Sequence, residues 1–318
     1  MITDFFKKNN KYFENFYVFP CPCYNESMQI LFVILMFVIG SAFGSFLCCQ
    51  ARRLNLREKP KKGIKKASKK QKSLGHRSVC FHCNHQLAWY ENIPIFSWLF
   101  LRGKCKKCHK KIGILEFLSE LGLGAAFTMV SIYFIHSAGD FKIDFAASFP
   151  VVSPMEWCIF AITLIFTMSL AFLAIYDGMS GKLPVIGLII SVILAAAVVA
   201  LRIGNDFLAS TSGAWPADLL LPIASGALFG GIYLILYIVS KGTWVGDGDW
   251  ILAGAIGLGL GHPWLAMIAL FIANFSACII MYPIVKNKKN HQIYFGPFLV
   301  LAFVITYSFS DIFLSFFN

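Results

Sequence analysis

Acidic residues are scarce in this chain. Only 16 of its 318 residues are Asp or Glu, and 14% of all positions are charged. A soluble domain carries about a quarter charged residues, so the deficit, beside a 58% hydrophobic content, excludes an ordinary water-soluble surface. Apart from residues 50–112, no gap between apolar runs is wide enough for a separate soluble fold. The lysine run "EKPKKGIKKASKKQKS" (58–73) has no interleaved aromatics, which argues against nucleic acid as a partner. A glycine-rich nucleotide-binding turn is also missing.

What is present is a series of runs long enough to cross a bilayer, which takes about 20 apolar residues. The clearest are 29–49, 157–176, 183–201, 219–240, 263–285 and 295–316, with a weaker run over 121–136 and a short one over 250–261. The expected fold is an all-α polytopic membrane protein of about eight transmembrane helices with a small cytoplasmic zinc-binding loop. Its parts are an extracytoplasmic tail (1–28), a first span (29–49), a lysine-rich and tetracysteine loop (50–112) and a membrane core (113–318). The tail is too long for the charged start of a cleavable signal, so the first span is expected to stay as an anchor.

Charge sets the orientation. Of 28 Lys and Arg residues, 18 lie between Arg52 and Lys111, and the positive-inside rule puts that loop in the cytoplasm. The run 58–73 reads as a spacer that also touches anionic lipid headgroups. Counting crossings from there sends 137–155 out, 177–182 in, 202–216 out and 241–249 in. The lysines of "KNKKN" (286–290) are inside only if 250–261 crosses by itself before His262-Pro263. Twelve helical residues cover only about 18 Å of a hydrocarbon core about 30 Å thick. The alternative is one kinked helix over 250–285.

This parity places Asp177, Asp247 and Asp249 at one membrane face. Ionisable groups bordering spans are functional candidates, and two carboxyls brought together can share a proton and activate water against a peptide carbonyl. Gly246 and Gly248 let the chain turn tightly around them. The plain alternative for Asp249 is a carboxylate favoured at a helix start. In the loop, "CFHC" (80–83) and "CKKC" (105–108) supply four thiolates with the spacing of a structural tetrahedral zinc site. His82, His85 and His109 are alternative ligands, and two redox dithiols are the weaker alternative reading.

The segment "RSVCFHCNHQLAWYENIPIFSWLFLRGKCKKCHKKIG" (77–113) resembles the cytoplasmic loop of type IV prepilin peptidases, bacterial inner-membrane enzymes of the GxGD aspartyl class. "GSFLCCQARRLN" (44–55), "DGMSGKLP" (177–184), "GDGDW" (246–250) and "FGPFL" (295–299) are similar to further motifs of that family, in the same order. The resemblance implies Asp177 and Asp249 as the catalytic pair, with Asp247 the variable residue of the motif, and Cys80, Cys83, Cys105 and Cys108 as the family's cysteines. Glu120 falls where the family has a glutamate early in its second span; a structural carboxylate is the equal alternative.

Implied substrates are prepilins or pseudopilins of type IV pili or type II secretion, cut after a Gly at the cytoplasmic face. Methylation of the new N-terminus by S-adenosylmethionine is implied by the resemblance alone. The chain departs from the family pattern at Cys48, Glu91, Val185 and Ile251. A rival reading from another class is a proton- or cation-coupled transporter with a zinc-stapled regulatory loop, which expects carboxylates near mid-membrane on broken helices.

Overall fold

The computed structural model describes residues 22–58, 80, 82–83, 85–137, 153–209, 215–242, 245–286 and 294–316. Most of the N-terminal tail, the lysine run, most of the loop expected outside at 137–155 and most of "KNKKN" lie outside these residues. Nearly everything described is helical: α1 (Pro22–Glu58), α2 (Phe96–Phe100), α3 (Ile114–Ser137), α4 (Pro154–Ser180), α5 (Val185–Ala209), α6 (Trp215–Ser240), α7 (Asp249–Leu260), α8 (Pro263–Lys286), α9 (Gly296–Ser308) and α10 (Ser310–Ser315). Among the described residues there is no strand, only one isolated antiparallel bridge, Lys104 to Lys111.

Among the described residues, six helices, α1, α3, α4, α5, α6 and α8, are long and apolar enough to cross a membrane. Helices α7 and α9 are apolar but shorter. Among the described residues, six full-length spans and two short apolar helices thus stand where eight spans were expected, and the weak run over 121–136 is part of a longer helix, Ile114–Ser137. Large apolar side chains point outward along these helices, among them Ile186, Ile193, Val239 and Phe271. Such a surface has to be solvated by lipid, and helices answer the lipid's demand that every backbone group be paired internally.

Contacts between distant residues fix the direction of each helix. Phe32 of α1 packs on Trp157 and Phe160 of α4, and Phe134 at the end of α3 joins them. At the other end, Arg52 of α1 pairs with Glu116 of α3, and Asn55 donates to the Met179 carbonyl of α4. Helices α1 and α4 therefore run parallel, and α3 runs antiparallel to both. Tyr307 of α9 lies beneath Arg202 of α5, far from Gly296, which touches Asp177.

Helix α7 ends at Gly261 in the left-handed conformation (φ 80°), which glycine adopts without a Cβ penalty, and Pro263 opens α8. Ser225 of α6 donates to the carbonyls of both Gly257 and His262, while Asn274 of α8 reaches Tyr233, two turns further along α6. So α8 folds back alongside α6, and the single kinked helix over 250–285 is ruled out. Helices α6 and α7 approach unusually closely: a Cβ on Gly257 would stand 2.5 Å from the Ser225 carbonyl oxygen, and one on Gly230 2.9 Å from the Gly254 Cα. Small residues at a seam let membrane helices pack backbone to backbone where no hydrophobic effect drives them together.

Candidate active site and metal centre

The C-terminal turns of α4 carry Asp177, which is buried at 6% exposure. Its Oδ2 accepts the Gly296 backbone N–H at 3.0 Å, from the first turn of α9. A helix N-terminus presents free N–H groups and the positive end of the helix dipole, so it suits a carboxylate. Pro297 follows at the second helical position, where its missing N–H costs nothing. Gly296 is also forced by space: a Cβ there would sit 2.9 Å from Asp177 Oδ2.

Asp249 is the first residue of α7 and is buried at 7% exposure. Its Oδ2 accepts the Gly246 N–H at 2.9 Å, closing the Gly-Asp-Gly turn that leads into the helix. Asp247, two residues earlier, is exposed and is bonded to the Tyr237 side chain of α6. The two carboxylates of "GDGD" are therefore unlike in environment. Asp249 faces inward, and its charge acts directly on Asp177. Among the described residues neither Asp177 nor Asp249 has an ion-pair partner. Asp249 also acts electrostatically on Tyr233, whose hydroxyl accepts from Asn274 Nδ2 at 3.3 Å and whose ring packs on Phe295.

Both aspartates lie at the same end of the bundle as the Arg52–Glu116 pair, rather than halfway along a span. Gly296, Tyr233 and Asn274 were not singled out from sequence. "FGPFL" was matched as a motif, yet nothing in it shows that its glycine N–H meets a carboxylate 119 residues earlier.

Glu120 is buried on α3, one turn beyond Glu116, and its Oε2 accepts the Ile95 N–H at 2.7 Å. It does not join the two aspartates in any described contact; it ties the loop to the second span. Glu91, the departure from the family pattern before "NIP", is buried and accepts the Ala88 N–H at 2.8 Å, with His85 Nε2 3.6 Å away.

In the loop the four sulfur atoms of Cys80, Cys83, Cys105 and Cys108 all lie within 4.8 Å of one another. Two cross-pairs are 3.9 Å (Cys80 to Cys108) and 4.0 Å (Cys83 to Cys105). Tetrahedral zinc with bonds of about 2.3 Å requires sulfur separations of about 3.8 Å, so the donor set fits such an ion. The two halves are built alike: the Cys80 N–H bonds the His85 carbonyl, and the Cys105 N–H bonds the Lys110 carbonyl five residues on. Burial pushes the Cys80 thiol up to about 11, whereas backbone N–H groups of Cys108 and Lys107 draw Cys105 down to about 7. His82 and His109 are exposed and His85 turns to Glu91, so none joins the cluster.

Fold and site together define a helical membrane protein with two inward-facing carboxyl groups at one end and, at that same end, a cluster of four cysteines that could hold a metal ion. Residues 38–134 match the family model described as "Bacterial Peptidase A24 N-terminal domain". The chain is 39% identical over 97 residues to a "Prepilin leader peptidase/N-methyltransferase" of Myxococcus xanthus, covering 30% of this chain and 25% of that protein. Longer matches exist to a "Type 4 prepilin-like proteins leader peptide-processing enzyme" of Escherichia coli (26% identity, 72% and 74% of the two chains) and to a "Prepilin leader peptidase/N-methyltransferase" of Stutzerimonas stutzeri (25% identity, 87% and 90%). The chain is thus similar to prepilin leader peptidases, by the family model over residues 38–134 and by the longer, weaker matches over most of its length. No solved structure matches it.

Proposed function

We propose that this protein removes the leader of type IV prepilins or pseudopilins, cutting after a Gly at the membrane face that carries the cysteine loop. The observation that carries this reading is the convergence of Asp177 and Asp249 from separate helices without a neutralising cation. Two neighbouring carboxyls favour a state in which one keeps a proton and the other is charged. The charged member takes a proton from water, which attacks the scissile carbonyl. The protonated member polarises that carbonyl and then protonates the leaving amine. The Gly296 and Gly246 N–H groups hold one oxygen of each carboxyl, leaving the other free for water and substrate. The exposed Asp247 meets the basic leader.

In this reading Cys80, Cys83, Cys105 and Cys108 hold a structural zinc ion, which would lock together a loop too small to bury a core of its own. Its orientation follows from charge: 18 cations between Arg52 and Lys111 place the loop, and with it the aspartates, on the cytoplasmic side of a bacterial inner membrane. Methylation of the new N-terminus with S-adenosylmethionine rests on the relatives' names, and no residue is assigned to that cofactor.

The test is to reconstitute the full chain in liposomes with a prepilin and weigh the product by mass spectrometry. The expected product begins immediately after the leader Gly, and a mass gain of one methyl group reports the second activity separately. An uncut prepilin, with the same preparation binding zinc and fully folded, contradicts the protease reading.

A further inference from the structure

We propose that residues 93–101 are a re-entrant wedge, seated in the boundary between headgroups and acyl chains of an anionic leaflet. This does not depend on what the enzyme cuts. The depth is set by α3. Glu116 pairs with Arg52 at the polar edge of the bundle, and Glu120 lies four residues further in, about 6 Å deeper at 1.5 Å per residue. The Ile95 N–H reaches that deeper carboxylate at 2.7 Å, so the loop chain dips below the ion pair before climbing back to Ile114.

The backbone shows what the dip requires. Ile95 has φ 63°, a left-handed conformation that a β-branched residue adopts only when its surroundings enforce it. Its N–H would be orphaned in lipid, where irregular backbone is tolerated only if protein satisfies it. Glu120 supplies that partner. The inner face of the wedge is Trp98, stacked on Phe117 of α3 with ring centroids 4.7 Å apart.

The outer face has no protein cover. Phe96, Leu99 and Phe100 are 60%, 52% and 83% exposed, and Ile114, Leu118 and Leu121 on α3 are exposed as well. Those α3 residues belong to a helix long and apolar enough to cross the membrane, so the same lipid that solvates α3 covers the wedge. Immediately after it come Arg102, Lys104, Lys106, Lys107, Lys110 and Lys111, all exposed. Aromatic residues with adjacent cations match a layer of anionic headgroups over acyl chains.

The test places the photoreactive p-benzoylphenylalanine at Phe96, Phe100 and, as a lipid-facing reference, Phe271, which is 67% exposed on α8. The full chain sits in nanodiscs of equal parts phosphatidylglycerol and phosphatidylcholine, and intact mass reads the adducts. Phospholipid adducts at positions 96 and 100, with phosphatidylglycerol in excess of its share, are expected. Labelling at 271 alone, or adducts at 96 and 100 only with an added prepilin, overturns the proposal.

The latch has its own signature: Glu120→Gln keeps an acceptor for Ile95 and keeps the adducts, whereas Glu120→Leu loses them. If the benzophenone variants do not fold, Phe100→Trp replaces them. Its added emission is quenched by lipids brominated high on the acyl chain, and unquenched emission overturns the wedge.

Discussion

The two ends of the helical bundle both gather ionisable groups, but in opposite ways. At the end away from the aspartates, Arg202 lies 5.3 Å over the Tyr307 ring and interacts with Asp206 and Tyr133. These groups, with His262 and Asp311, line a cavity of about 240 Å³. Cation, anions and aromatic faces are mixed there, so the charges are compensated within the cluster. At the other end, Asp177 and Asp249 are both acidic, inward-facing and held, among the described residues, by backbone N–H groups. Compensation is the mark of a structural cluster, while two uncompensated carboxyls are costly unless they are used.

The largest expected effect is at the uncompensated end. Asp177→Asn or Asp249→Asn should lower the rate of prepilin cleavage by about 10³-fold or more, the scale of a lost acid–base group, with the melting temperature unchanged or raised. The far end should behave in reverse. Arg202→Leu should leave cleavage within about twofold yet cost about 1 kcal/mol of stability, because it removes the half-buried cation that packs on the Tyr307 ring; thermal unfolding in detergent reads that loss.

Gly296→Ala lies between these extremes. A Cβ would stand 2.9 Å from Asp177 Oδ2, so the helix start must shift from the carboxylate. Cleavage should fall about tenfold, equivalent to about 1.4 kcal/mol of transition-state stabilisation, seen in kcat rather than KM.

A smaller effect on cleavage is expected from the metal. Zinc binds thiolates, so it competes with protons. With Cys80 pushed up to about 11 by burial, that thiol holds its proton at pH 7 when the metal is stripped. Zinc affinity should therefore rise with pH from 6 to 8, and rebinding at pH 7 should release the Cys80 proton, read by a pH indicator. Rebinding without proton release would mean that Cys80 is not a ligand.

The same contrast marks what the sequence reveals. Apolar runs expose the helices because a lipid-facing surface has to be apolar, and they located α7 and α8 as separate helices through the charge of "KNKKN". The register Gly246-Asp247-Gly248-Asp249 singled out Asp249, which is the buried carboxyl of the two, and the CxxC spacing brought out the four sulfurs that cluster. Hidden were the contacts joining residues far apart in the chain: Gly296 with Asp177, Tyr233 with Asn274, and Arg202 with Tyr307. Each partner alone looks like an ordinary helical residue, and no local pattern registers which helices become neighbours. The dip at Ile95 was hidden for another reason, since an isoleucine gives no signal for a left-handed turn.

The central assertion is that the two carboxylates of "GDGD", two residues apart, do different work. It is tested by measuring cleavage of one prepilin by Asp247→Asn and Asp249→Asn variants in the same liposomes. Asp247 is exposed and bonded only to Tyr237 in the described contacts, so its variant should stay within about threefold of the parent, the size of a solvent-screened charge effect. Asp249→Asn should show no cleavage above background. Full cleavage by Asp249→Asn, or its loss with Asp247→Asn, would contradict the pairing of Asp249 with Asp177.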